Sequence, residues 1–252
     1  MKPTHPKKQT IVVVALFTVL NFIFSSGLSA QQMVSDLWKV KSVTAIKQQE
    51  LRETTPEKFS VYELDLTAVK AKLNQAPMEG TVTHAGSSTI LEVPLPDGSI
   101  SRFRMLETPV MEAGLAKQYP FIRTFTGQGI EDPTAILKAD YTLFGFHAMI
   151  MSVHGWFFIE PYILGNTSDY ICYDKKYSSH DPNWICETDP LTPNQTLQNP
   201  VQNSVYRTNG TQLRTYRLAL ACTGEYAAFY GGTKAGALSG MVTSVNRVTG
   251  VY

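Results

Sequence analysis

Three cysteines, five histidines and a few neighbouring carboxylates are the side chains of this sequence suited to metal, redox or nucleophile chemistry. Cys172 and Cys186 are spaced for a disulfide closing a loop of about 15 residues, worth on the order of 3 kcal/mol. Spacing alone does not set connectivity, and the odd count leaves at least one thiol unpaired within the chain. Cys222 lies between Ala221 and Thr223 at the end of an apolar run and is expected to be a buried free thiol. His147 and His154 are separated by an odd number of residues across one strand and its turn. A regular strand puts them on opposite faces, so they read as surface or satisfied core histidines rather than as partners on a metal. Glu131-Asp132-Pro133 reads as a turn, because adjacent carboxylates do not flank a common bond as hydrolysis requires. Gly-x-Ser-x-Gly is absent, which leaves Ser87 and Ser239 without the elbow of a serine hydrolase. Gly231-Gly232 stops a helix and lacks the spacing and Lys-Ser/Thr pair of a phosphate loop.

The elements that must position these residues read as mainly antiparallel β with short helices. Asp36 to Gln49 is compatible with a short helix. Ser60 to Leu66 alternates like a strand, and Thr67 then caps a helix that runs to Gln75. Thr89 to Leu95 and Ser101 to Leu106 form a hairpin across Pro96-Asp-Gly-Ser99. Thr108-Pro109 opens a short helix that ends by Pro120. Phe121 to Phe125 is a strand. Leu143 to Val153 and Trp156 to Glu160 make the strongest hairpin, turning at His154-Gly155, and Asp169 to Lys175 is the last strand of this body. From 178 to 209 the composition shifts to Pro, Asn, Gln, Thr and Ser, the mark of an exposed linker. Leu218 to Cys222 is expected to be a buried strand. Thr223 to Gly232 is a capped helical turn. Ala235, Leu238, Met241, Val242, Val245, Val248 and Tyr252 then make one apolar stripe down a longer helix, read as its core-facing side.

The 252 residues can hold one large domain or two small ones. A 43% hydrophobic, 17% charged composition is that of a globular chain, and the net charge of +1 gives no reason to expect nucleic acid or an anionic membrane as partner. Lys2, Lys7 and Lys8 precede an apolar run, Ile11 to Phe24, that is short for a membrane span. Small residues follow up to Ala30. This is the pattern of a signal peptide cut after Ala30, giving a secreted protein with no stable membrane anchor. Export places the cysteines in a disulfide-permissive compartment. Asn166-Thr-Ser, Asn194-Gln-Thr and Asn209-Gly-Thr match the glycosylation pattern.

Met241-Val-Thr-Ser-Val-Asn246-Arg-Val-Thr-Gly-Val-Tyr252, after Tyr216-Arg-Leu-Ala-Leu220, resembles the first strand and long helix of the reprolysin and adamalysin branch of the metzincin metalloproteases. The order of signal peptide, β-rich segment, Pro-rich linker, strand and helix resembles that of secreted bacterial reprolysin-like zymogens. Leu64 to Leu73, Gln128 to Thr134 and Phe158 to Tyr162 resemble parts of their propeptide. The resemblance implies an α+β chain. Residues 1–30 are the signal peptide, 31–190 a mainly antiparallel β prodomain with short helices, and 191–212 a Pro/Asn-rich linker. Residues 213–252 are the truncated start of an α/β metzincin catalytic domain. The zinc site of that family is His-Glu-x-x-His-x-x-Gly-x-x-His, in which two His one turn apart bind the metal and the Glu activates water. None of His5, His84, His147, His154 and His180 begins that motif, so no catalytic residue of the family maps onto this sequence.

The expected function is therefore the pre-pro region of a zinc metalloendopeptidase, a folding aid and latency device that is itself inactive. Its partners would be its own catalytic domain and, for the full-length enzyme, protein substrates; zinc is expected in the full-length protein and none bound by this stretch alone. Cys186, in Trp184-Ile-Cys-Glu-Thr-Asp189, is the candidate latent-state zinc ligand, since a thiolate in the open position displaces the hydrolytic water. Its neighbours do not match the Pro-x-x-Cys-Gly switch, and a disulfide to Cys172 is the rival reading. The alternative function is an exported β-rich binding or adhesion module with no catalytic role.

Overall fold

The structure, a computed structural model, describes residues 35–42, 56–178 and 217–251. Residues 1–30, read as a signal peptide, residues 191–212, read as a linker, Cys186, and Asn194 and Asn209 of the expected glycosylation pattern lie outside the described residues. The described elements belong to one compact unit, and no described helix is long and apolar enough to cross a membrane.

Alternating apolar residues build nine strands: β1 (Trp38–Lys41), β2 (Ser60–Leu64), β3 (Ile90–Pro94), β4 (Ile100–Glu107), β5 (Arg123–Gly129), β6 (Ile136–Thr142), β7 (Gly145–Ser152), β8 (Gly155–Pro161) and β9 (Asp169–Asp174). They form one antiparallel sheet in the order β1-β2-β9-β8-β7-β6-β5-β4-β3. From β3 to β9 each strand pairs with its successor, so short connections suffice. The period of two sends Leu91, Val93, Phe103, Met105, Phe125, Leu137, Phe146, Ala148, Ile150 and Ile159 to one face, where they form the main core. Helix α1 (Leu66–Leu73) adds Val69 and Leu73 to it.

The sheet curls until its two edges meet. Trp38 of β1 is wholly buried, and its indole Nε1 donates to the Glu92 carbonyl of β3 at 2.8 Å. The bond satisfies an edge carbonyl that would otherwise be an exposed pairing template. Tyr62, Phe146 and Tyr170 meet the indole edge-on. Burial pushes the Tyr170 phenol well above its ordinary pKa; its oxygen accepts from the Phe146 amide at 3.1 Å. Cys172 is a free thiol on the same inner face, donating to the Pro94 carbonyl at 3.3 Å. Burial raises its pKa, which leaves it protonated and inert. The disulfide alternative from Cys172 to Cys186 is therefore corrected: Cys172 is a core thiol.

Several element boundaries also differ from expectation. Trp38–Lys41 is a strand instead of helix because Trp38 is drawn into the closure; residues 43–49 lie outside the described residues. Asp65, not Thr67, caps α1 by accepting from the Ala68 amide at 2.9 Å. Helix α2 (Ala113–Gln118) starts after Glu112, which accepts from the Leu115 amide. Thr108 is instead buried, bonded to Thr126 at 2.9 Å. The β7–β8 hairpin turns at Val153-His154. Strand β6 was not anticipated. Leu218 to Cys222 forms no strand: Leu218 and Leu220 are more than half exposed, and the free thiol of Cys222 is exposed rather than buried. The sheet's edges already face each other through Trp38 and Glu92, so the segment has no partner there. The Asn166 side chain is engaged in its own turn, accepting from the Ser168 and Asp169 amides.

Trp38→Ala is expected to lower the unfolding free energy by about 3–5 kcal/mol, read by urea denaturation. A loss below about 1 kcal/mol would show that the edges close without it.

Candidate functional site

The outer face of the sheet carries a smaller apolar cluster, Val61, Tyr162, Ile171 and Tyr173, and beside it a row of polar residues. On β6, Lys138 and Asp140 alternate with the core residues Leu137, Ala139 and Tyr141. On β7, His147 and Met149 alternate with Phe146, Ala148 and Ile150. Asp140 and His147 are direct cross-strand partners. Ala148 pairs with Ile159, so Glu160 stands one step further along β8, beside His147. The pleat thus lays Glu160, His147 and Asp140 in one row across three strands.

Two helices follow in the chain, and the longer covers that row. Helix α3 (Gly224–Phe229) begins at Thr223, whose hydroxyl accepts from the Tyr226 amide. Gly231 and Gly232 then take φ values of 81° and 69°, a left-handed pair that L side chains resist. Helix α4 (Lys234–Val251) follows, with Thr233 accepting from the Gly236 amide at 3.0 Å. It lies over β6 and reaches β5 and β7. Tyr230 packs on Phe144 of the β6–β7 turn, with ring centroids 5.3 Å apart. Gly240 permits this approach: a Cβ there would stand 2.5 Å from the Tyr230 ring.

The face that α4 turns inward is not the expected apolar stripe. Its buried residues are Gly236, Ala237, Ser239, Gly240, Val242, Thr243 and Asn246. Leu238, Met241 and Val245 are only partly covered, and Val248 is 52% exposed. The reason lies underneath. The sheet offers carboxylates and a carbonyl, and a helix meeting them must bring donors. Thr243 Oγ1 donates to Asp140 Oδ1 at 2.8 Å. His147 Nδ1 lies 3.0 Å from the same oxygen, and an accepting carboxylate makes it the Nδ1–H tautomer. Asn246 Nδ2 donates to the Ala139 carbonyl at 2.9 Å. Arg247 Nη2 lies 2.9 Å from Glu160 Oε1, with its guanidinium over Phe158. Glu160 Oε2 accepts from the Tyr173 hydroxyl at 3.0 Å. At the far end, the stem of Lys138 runs beneath Gly250, and burial lowers the lysine's pKa.

The contacts of this row seat α4 on the sheet. A nucleophile needs its base within hydrogen-bond reach. Here Thr243 and His147 are both tied to Asp140 rather than to each other, and Asp140 is 1% exposed. No group of three or more His, Cys, Asp or Glu that could hold a metal occurs among the described residues. His154 is exposed in the β7–β8 turn, its Nε2 4.0 Å from Asp132 Oδ2. Sequence reading passed over Asp140 and Glu160. The signal was an acid set between the apolar residues Ala139 and Tyr141.

The chain matches no protein-family model, no curated protein and no solved structure.

A double-mutant cycle on urea unfolding checks the seam. Asp140→Leu strands two buried donors and is expected to cost about 2–3 kcal/mol, Thr243→Val about 1 kcal/mol. Their effects should fall short of additivity by at least about 0.5 kcal/mol. Strict additivity would mean that the hydroxyl does not engage Asp140.

Proposed function

We propose that this chain is the pre-pro region of a secreted zinc metalloendopeptidase, and that its β-rich body serves as folding aid and latency device for the peptidase portion. The observation that carries the reading is where α4 lies. It is the segment whose residues resemble the first long helix of a reprolysin-like peptidase, and it is seated on the outer face of the β-rich body. Asp140, the Ala139 carbonyl and Glu160 receive Thr243, Asn246 and Arg247. A prodomain that assists folding must offer such a surface to a helix that is marginal in water by itself. In this reading zinc is held by the peptidase portion, with Cys186 as its latent-state thiolate ligand. In the same reading the described residues supply docking.

The test is to express the entire open reading frame from which the chain derives. The expected product binds about one zinc per molecule, gains peptidase activity when cut within 191–212, and loses that activity with a chelator. The chain ending at Tyr252 is expected to be inactive. A full reading frame without His-Glu-x-x-His, or zinc-dependent peptidase activity from the chain ending at Tyr252, would contradict the reading.

A further inference from the structure

We infer that the stretch of the outer face just past the C-terminal end of α4 is a docking strip for an extended partner peptide whose apolar residues are flanked by carboxylates. The strip does not depend on the peptidase reading, so either can fail without the other.

Strand register lays the strip out. Arg104 pairs with Gln128, Gln128 with Ile136, Ile136 with Met151, and Met151 with Trp156. Phe157 pairs with Asp174, so Lys175 lies one step on beside Trp156, its Nζ 4.3 Å from the ring centroid. The neighbours Phe103, Leu137, Ile150 and Phe157 pack on or in the main core, which turns the paired residues between them to the outer face. Helix α4 ends here. A Cβ on Gly250 would stand 2.6 Å from Met151 Cε and 2.9 Å from Lys138 Cγ, so the helix end borders the strip on one side.

The middle of the strip is apolar and open. Ile136 is 38% exposed, and Met151 and Trp156 are partly exposed. Val251 at the helix end is 51% exposed, and Val153, in the turn after Met151, is 75% exposed. Single exposed apolar residues need no explanation, but a group gathered in one place marks a binding surface. Trp and Met suit such a surface, the one as a rigid anchor and the other as an adaptable contact.

Charge says what the partner carries. Lys41, Arg123 and Arg247 each have a carboxylate in ion-pair contact. The cations of the strip do not, among the described residues. Arg104 donates to the Ser87 carbonyl at 3.2 Å, Lys138 donates to the Thr126 hydroxyl at 3.0 Å, and Lys175 lies on the Trp156 ring. Glu79 acts on Lys138 only at longer range. A partner with acidic groups at both ends complements this arrangement, whereas a second copy would set like charges against each other. Five strand spacings separate Arg104 from Lys175, a path of about 24 Å that about seven extended residues span.

The test titrates the full chain by calorimetry with synthetic peptides of about nine residues. One alternates leucine with serine between aspartate ends, one has the same centre between lysine ends, and one has aspartate ends with serine in place of leucine. Only the first is expected to bind, and added salt should weaken it. Trp156→Ala should raise its Kd by about ten-fold. Arg104→Gln and Lys175→Gln should each raise it by about three-fold, and Lys39→Gln, on β1, by less than about two-fold. Lys175 is exposed, so its variant keeps the test open where Trp156→Ala fails to fold. The inference is overturned if the aspartate-ended leucine peptide does not bind below about 1 mM, or if the lysine-ended peptide binds as well. It is equally overturned if the strip instead pairs two copies of the chain, seen as a sedimentation shift that Trp156→Ala abolishes, or holds phosphatidylserine vesicles and no peptide.

Discussion

A carboxylate buried on the outer face of a β-sheet dictates much of what surrounds it. Asp140 is 1% exposed, and leaving it without donors would cost far more than an ordinary hydrogen bond returns. His147 supplies one donor from the neighbouring strand. The other has to come from above the sheet, and Thr243 of α4 brings it. This requirement sets which side of α4 faces the sheet and how deeply it lies. Asn246 and Arg247 then fall over the Ala139 carbonyl and Glu160, one turn further on.

The inner face obeys a different constraint. There the nine strands curl until Trp38 reaches Glu92, and the core fills with large apolar side chains. The two faces divide the labour. The inner face supplies the main core, and the outer face supplies a polar row with a helical occupant beside a smaller apolar cluster. A sheet with one dry and one polar face is what antiparallel pairing permits. In this protein α4 covers the stretch of that face over β5, β6 and β7.

The strands with plain alternation were legible in the sequence. Ser60–Leu64, the hairpin across Pro96-Asp-Gly-Ser99 and Asp169–Asp174 all stand close to where their patterns place them. Strand β6 carries the same alternation, Leu137, Ala139 and Tyr141 set against Lys138 and Asp140, and its pattern was as legible as theirs; what the pattern does not show is that the polar members face α4. Trp38 sat in a polar stretch whose neighbours suggested helix, and only contact with β3 explains its strand. The helix Lys234–Val251 was legible as an element, but its inward face was not. Periodicity identifies the apolar stripe of a helix. It does not say that the surface beneath is acidic, and pairing between residues about a hundred positions apart leaves no mark on local pattern. Leu218–Cys222 shows the converse: an apolar run has strand chemistry yet makes no strand without an edge to join.

Hydrogen exchange at the amides of Lys234–Val251 tests the central claim most directly. An isolated helix of this length is marginal in water, so any strong protection must come from docking. The account predicts clear protection in the native chain and its loss in Asp140→Leu, with the amides of β3 and β4 unchanged. Unprotected α4 amides in the native chain, or equal protection in the variant, would contradict the account.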